Sequence, residues 1–68
     1  MRVTKLIEKA PIIDADGKWN VFCQVLRGCS YVYGAIVCET MKEALSIKEG
    51  QILDLEKTRF EQRIKTSY

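Results

Sequence analysis

Apolar and polar residues alternate most regularly between Trp19 and Leu26. Trp19, Val21, Cys23 and Val25 fall on one side, and Asn20, Phe22, Gln24 and Leu26 on the other. A period of two places successive side chains on opposite faces of a strand. One side reads as core and the other as half polar, the pattern of an antiparallel sheet with one covered face. After a turn at Arg27-Gly28, Tyr31 to Cys38 predicts the returning strand. Pairing Leu26 with Cys29 sets Cys23 against Val32 and Val21 against Gly34. The Trp19 face then continues as Val32, Gly34, Ile36 and Cys38, while Phe22, Leu26, Tyr31, Tyr33 and Val37 share the opposite face. A slip of one residue would exchange the two faces.

The flanking segments are less regular. Arg2 to Lys9 reads as a first strand with Val3 and Ile7 on one face, but Leu6 falls on the polar side. Pro11 confines the next stretch to an edge or a bend. Asp16-Gly17, between "PIIDA" and "KWNVFCQVL", predicts a hairpin closed by a two-residue type I′ turn. Thr40-Met41-Lys42-Glu43 has the form of a capping box, in which the Thr hydroxyl takes the N3 amide and the Glu reaches back. It opens a predicted helix over Met41 to Glu49, with Met41, Ala44 and Leu45 at helical spacing. Lys48 stands in its last turn and Gly50 at the left-handed C′ position. Gln51 to Glu56 reads as extended, with Leu53 and Leu55 inward. Phe60 and Ile64 are four apart, as in a helix, yet share a parity, as in a strand. Thr58 and the shortness of the segment favour a last strand entered through a bulge or turn at residues 56–59. The order predicts an α+β, mostly β fold. It is a small antiparallel sheet, or an SH3/OB-like barrel, of four to five strands with one short helix over 41–49.

Length and composition bound this picture. Sixty-eight residues make one domain, 1–68. A domain this small buries only about 60% of the surface its unfolded chain exposes, so a partner subunit is one natural source of further stability. With 47% hydrophobic and 29% charged residues, the chain has the composition of a folded protein. No apolar run approaches the ~20 residues that cross a bilayer. "MRVTKLIEKAP" carries a charge every few residues and has no apolar region of a secretory signal. The expectation is a cytoplasmic protein with reduced thiols. Net charge is +2, the balance of eleven basic and nine acidic residues, which suits a solvated mixed surface. Lys57 to Lys65 stands out, with four positive charges against one negative.

All three cysteines lie in "CQVLRGCSYVYGAIVC". A structural zinc site takes four converging ligands, usually from two closely spaced pairs. Here the spacings are five and eight intervening residues, and the chain has no histidine. Cys23 and Cys38 are expected to be small buried hydrophobes, since free Cys is among the most buried residue types. Cys29 is expected at the turn, on the other face. Neither a metal nor any other cofactor is expected.

Asp14-Ala15-Asp16-Gly17 resembles the start of a calcium loop. The bidentate Glu that closes such a loop is missing, which favours the plain turn. Arg27-Gly28-Cys29-Ser30-Tyr31-Val32-Tyr33 resembles the RNP1 signature of RNA-recognition modules at Arg27, Gly28, Tyr31 and Val32. Cys29 and Gly34 stand where that signature has aromatics. The family also places a helix between its first two strands, where this chain has a tight turn, so the resemblance does not extend to the fold. Tyrosines beside basic residues can still stack on bases, and the bland alternative is that they cover a second apolar surface. With no histidine, no activated serine and no phosphate-binding loop, an enzyme is not expected. Glu39, Glu43 and Asp54 are carboxylates that solvation explains.

Two function classes follow. The first is a small non-catalytic interaction module that self-associates, most simply as a dimer, and binds a protein or a small ligand. Its candidate surface is Phe22, Leu26, Tyr31 and Tyr33. In size and texture it is similar to the accessory or inhibitor proteins carried by phages and mobile elements. The second is a nucleic-acid-binding small β-barrel, with Tyr31 and Tyr33 stacking on bases and Arg27, Lys57, Arg59, Arg63 and Lys65 taking phosphates.

Overall fold

The computed structural model describes residues 1–62. The elements are β1 (Arg2–Leu6), β2 (Ile12–Ile13), β3 (Trp19–Arg27), β4 (Ser30–Cys38), α1 (Met41–Leu45) and β5 (Arg59–Gln62). They form a five-stranded antiparallel sheet in the order β1-β3-β4-β5, with β2 pairing to the same edge of β3 as β1. Among the described residues, the mostly β class, the five strands and the single short helix agree with the fold expected from the sequence. Ile64 and its neighbours Arg63 and Lys65 lie outside the described residues.

The central hairpin has the predicted faces and a different register. Leu26 pairs with Tyr31, Cys23 with Gly34, Val21 with Ile36 and Trp19 with Cys38. Gly28 and Cys29 form the turn, with Gly28 at φ 60°. Positive φ at the first central residue alone is the requirement of a type II′ turn, which Gly meets at no steric cost. The shift from the expected pairing is two residues in partner, so each side chain stays on its predicted face.

The face of Trp19 is the core. Val3, Val21, Cys23, Val25, Ile36, Cys38 and Ala44 are buried there. Met1, Leu6, Trp19, Val32, Ile47, Leu53 and Phe60 pack around them. Helix α1 supplies only Ala44 to this cluster and leaves Met41 and Leu45 about half exposed.

Several local expectations are corrected. The first strand ends at Leu6, and Ile7 is exposed. A bulge between Val3 and Lys5 lets Val3 face Val25 and Leu6 face Cys23, both toward the core. The extra residue is Thr4, whose hydroxyl donates to the Gln24 carbonyl at 3.0 Å. One inserted residue inverts the alternation that follows it, which is why Leu6 breaks the period in the sequence. The Asp16-Gly17 turn is a longer loop. Asp14 N–H donates to the Lys18 carbonyl and Gly17 N–H to the Asp14 carbonyl. Gly17 alone has positive φ, at 79°, as in a three-residue hairpin loop with a bulge.

The helix stops at Leu45 instead of Glu49. Gly50, at φ 86°, turns the chain after residues 48 and 49 and is not a helix cap. Its N–H reaches the Val3 carbonyl, and the Val3 N–H reaches the Gln51 carbonyl. Met1 and Leu53 exchange two further bonds, at 3.0 and 2.7 Å. Residues 50–53 therefore line the edge of β1 that β3 leaves open. Leu53 packs inward as expected, while Leu55 is exposed in the turn that leads to β5.

Candidate functional site

The outer face of the sheet, opposite the core, is laid out in cross-strand rows. Partners directly opposite in an antiparallel ladder share a face. One row is Arg2–Leu26–Tyr31 and the next is Lys5–Gln24–Tyr33. Further along come Phe22–Ala35–Glu61 and then Ile12–Asn20–Val37–Arg59. Phe22, Leu26, Tyr33 and Val37 are half-buried, Ala35 is buried, and Tyr31 is 63% exposed. All four interface candidates read from the sequence thus share this face, and Tyr31 is the one most open to solvent.

The basic candidates do not converge. Arg27 stands at the β3–β4 turn, and Arg59 is in the row of Asn20. Seven residues along a strand separate them by about 23 Å. Arg59 is ion-paired with Glu61 at 3.0 Å, and Lys57 lies in the turn before β5. Arg63 and Lys65 lie outside the described residues. Sequence reading missed Arg2 and Lys5, which the β1–β3 register brings into the rows of Tyr31 and Tyr33. The signal that would have found them is the Thr4 bulge, which only the pairing reveals. The two rows hold two cations, while Arg27 has the strand parity of Val25 and Cys23 on the core side. At the open edge of β1, next to Lys5, Glu49 accepts from the Leu6 N–H at 2.9 Å.

The opposite end of the face is mixed in charge and tightly bonded. One Asp14 oxygen accepts from the N–H groups of Asp16 at 2.9 Å and Lys18 at 3.0 Å. The other accepts from the Asn20 amide at 2.9 Å. The Asn20 bond, followed by the Lys18 backbone, holds the Asp14 carboxyl below its ordinary value of 3.8. The Asn20 side-chain oxygen is buried without a partner.

The thiols lie as predicted. Cys23 and Cys38 are buried, and Cys29 is exposed in the turn. Cys23 is paired with Gly34, and Cys38 with Trp19 four residues away along β3. That is about 13 Å, beyond the reach of a disulfide or a shared metal. Burial pushes the Cys23 thiol up to about 11. Burial, and then the charge of Glu43, raise Cys38. Among the described residues no three Cys, Asp or Glu side chains gather where a metal would sit. The three carboxylates noted in the sequence are engaged separately. Glu39 pairs with Lys18, Glu43 lies in the first turn of α1, and Asp54 accepts from the Glu56 N–H at 2.9 Å.

On the core side a groove of about 220 Å³ runs between residues 6–11 and α1. It is smaller than the roughly 300–1,000 Å³ usual for small-molecule sites. No family model, no curated protein and no solved structure matches this chain.

Proposed function

We propose that this chain is a small, non-catalytic interaction module whose working surface is the outer face of its sheet. The observation that carries the reading is the row Arg2–Leu26–Tyr31, in which an aromatic side chain 63% exposed stands at the end of an otherwise half-buried apolar face. Large aromatics with a polar tip are the residues that interfaces select. Three free thiols, two of them buried, suit a reducing cytoplasm. An SH3- or OB-type closure of the sheet belongs to the same reading, supported by residues 50–53 lining the free edge of β1.

When no other partner is present, the occupant of this face is a second copy of the chain. Tyr31, Tyr33, Ala35 and Val37 run as an apolar strip along β4, flanked by Leu26 and Phe22, and two-fold pairing is the simplest closed way to cover it. Light scattering at micromolar concentration tests this. The expected mass is twice the 7.8 kDa of one chain, and Tyr31→Glu should return a folded monomer. A wild-type mass of one chain would rule out self-association.

A further inference from the structure

We infer that the basic end of the outer face binds single-stranded nucleic acid, with a base stacked on Tyr31 and phosphates on Arg2 and Lys5. The inference rests on the outer face being the working surface, and it names the partner that fits one end of it.

The argument starts from charge. Arg2 and Lys5 lie two strands from Tyr31 and Tyr33 in the same two rows, about 10 Å across the sheet. These rows carry no carboxylate. Glu61 stands one row beyond and is paired with Arg59, and at the open edge of β1 the Glu49 carboxylate accepts from the Leu6 N–H at 2.9 Å. Superposing this end on itself in a second copy would set like charges together, which is destabilising at contact distance. A partner with regularly spaced negative charge has no such penalty.

Geometry selects the single strand. Tyr31 presents an exposed ring on a sheet face, and any base has a π-face to lay on it. In a duplex those faces are already stacked and hidden. A groove of cations beside a stacking aromatic is the general requirement for binding single strands without sequence preference. The Thr4 bulge is part of the device. Without it Lys5 would not face the same way as Arg2 and Tyr31, because the bulge fixes which residues of β1 point outward.

A second copy and a strand compete for Tyr31, so the bound form is a monomer on the strand. The test is fluorescence anisotropy with the full chain at low salt. The probes are a labelled thymidylate strand of about 12 nucleotides, its uridylate counterpart, and the thymidylate strand annealed to its complement. The expected result is binding to one or both single strands in preference to the duplex. Preference between the first two tells DNA from RNA. Two phosphate contacts predict a log–log salt slope of about −1.4 for single strands, and Lys5→Gln should lower its magnitude by about 0.7. Tyr31→Ala should weaken binding about tenfold, while Tyr31→Phe, which keeps the ring, should stay near wild type. Tyr31 is largely exposed, so both variants should fold, as circular dichroism will verify.

Absence of single-strand binding at low salt, or equal binding to the duplex with no effect of Tyr31→Ala, would overturn the inference. If the wild type binds no strand but Tyr31→Glu still changes the mass, the inference alone fails. If Tyr31 variants alter neither mass nor strand binding, the outer face is not the working surface and both readings fall.

Discussion

The ring of Phe60 lies where the side chain of any residue other than glycine at position 34 would have to go. A Cβ on Gly34 would stand 2.5 Å from Phe60 Cζ and would also collide with the Glu61 carbonyl oxygen. Phe60 pairs with Ile36, so its ring lies diagonally across the core face onto Gly34. A glycine inside a strand marks such close approaches of ring and backbone. Gly34→Ala should therefore destabilise the protein by about 1–3 kcal/mol, the usual cost of overpacking. Urea denaturation should show a lower midpoint with an unchanged slope. A midpoint equal to wild type would mean that β5 does not lie this close to β4.

Thr40 accepts a hydrogen bond from the Glu43 N–H at 3.2 Å and caps a helix of five residues. Removing a capping hydroxyl costs roughly 0.5–2 kcal/mol. The site is exposed, so Thr40→Ala should fall in the lower half of that range. Thr40→Ser, which keeps the acceptor, should recover most of the loss in a thermal melt.

A thiol reagent should label one cysteine per folded chain, and peptide mapping should place the label at Cys29. Cys23 also makes a pH-dependent contribution. Its folded value is raised from 9.0 to about 11. A group raised in the folded state contributes stability that is complete below the unfolded value and is lost as pH climbs through the folded one. Stability should thus decline between about pH 9 and 11, and Cys23→Ala should flatten that decline. Rapid labelling of Cys23 at neutral pH would contradict its burial.

Asp14 acts at the other end of the pH scale. Its carboxyl is held below 3.8 by the Asn20 amide and the Lys18 and Asp16 amides. A depressed carboxylate contributes stability above its unfolded value, and the contribution disappears as pH falls through the lower folded value. Asp14→Asn should remove that part of the acid loss and loosen the β2–β3 loop. Amide exchange at Lys18, faster in the variant, is the direct readout.

The Trp19–Leu26 strand and the division of residues between the two faces were legible because period-two alternation survives any shift of register by two. The partners were not legible, since Leu26 finds Tyr31 by the geometry of the Gly28-Cys29 turn, which the string of residues leaves open. The helix start was readable from the Thr40 cap. Its end was not, because Gly50 serves a turn that bonds to β1 rather than the helix. The four apolar site candidates were readable from strand parity. Arg2 and Lys5 were hidden by the bulge at Thr4, whose cause is a pairing twenty residues away along the chain.

The bonds between Met1 and Leu53 and between Val3 and residues 50–51 join positions about fifty residues apart. Closing so long a loop costs entropy before any contact returns it, so this clasp is expected late in folding. Val3 gains its two backbone bonds to residues 50 and 51 only after the chain has been made past that point. A nascent chain that stops short of that point carries a hairpin whose core face is partly bare. Synthesis and folding are thereby kept in sequence, with the last third of the polypeptide deciding when the first three residues find their place.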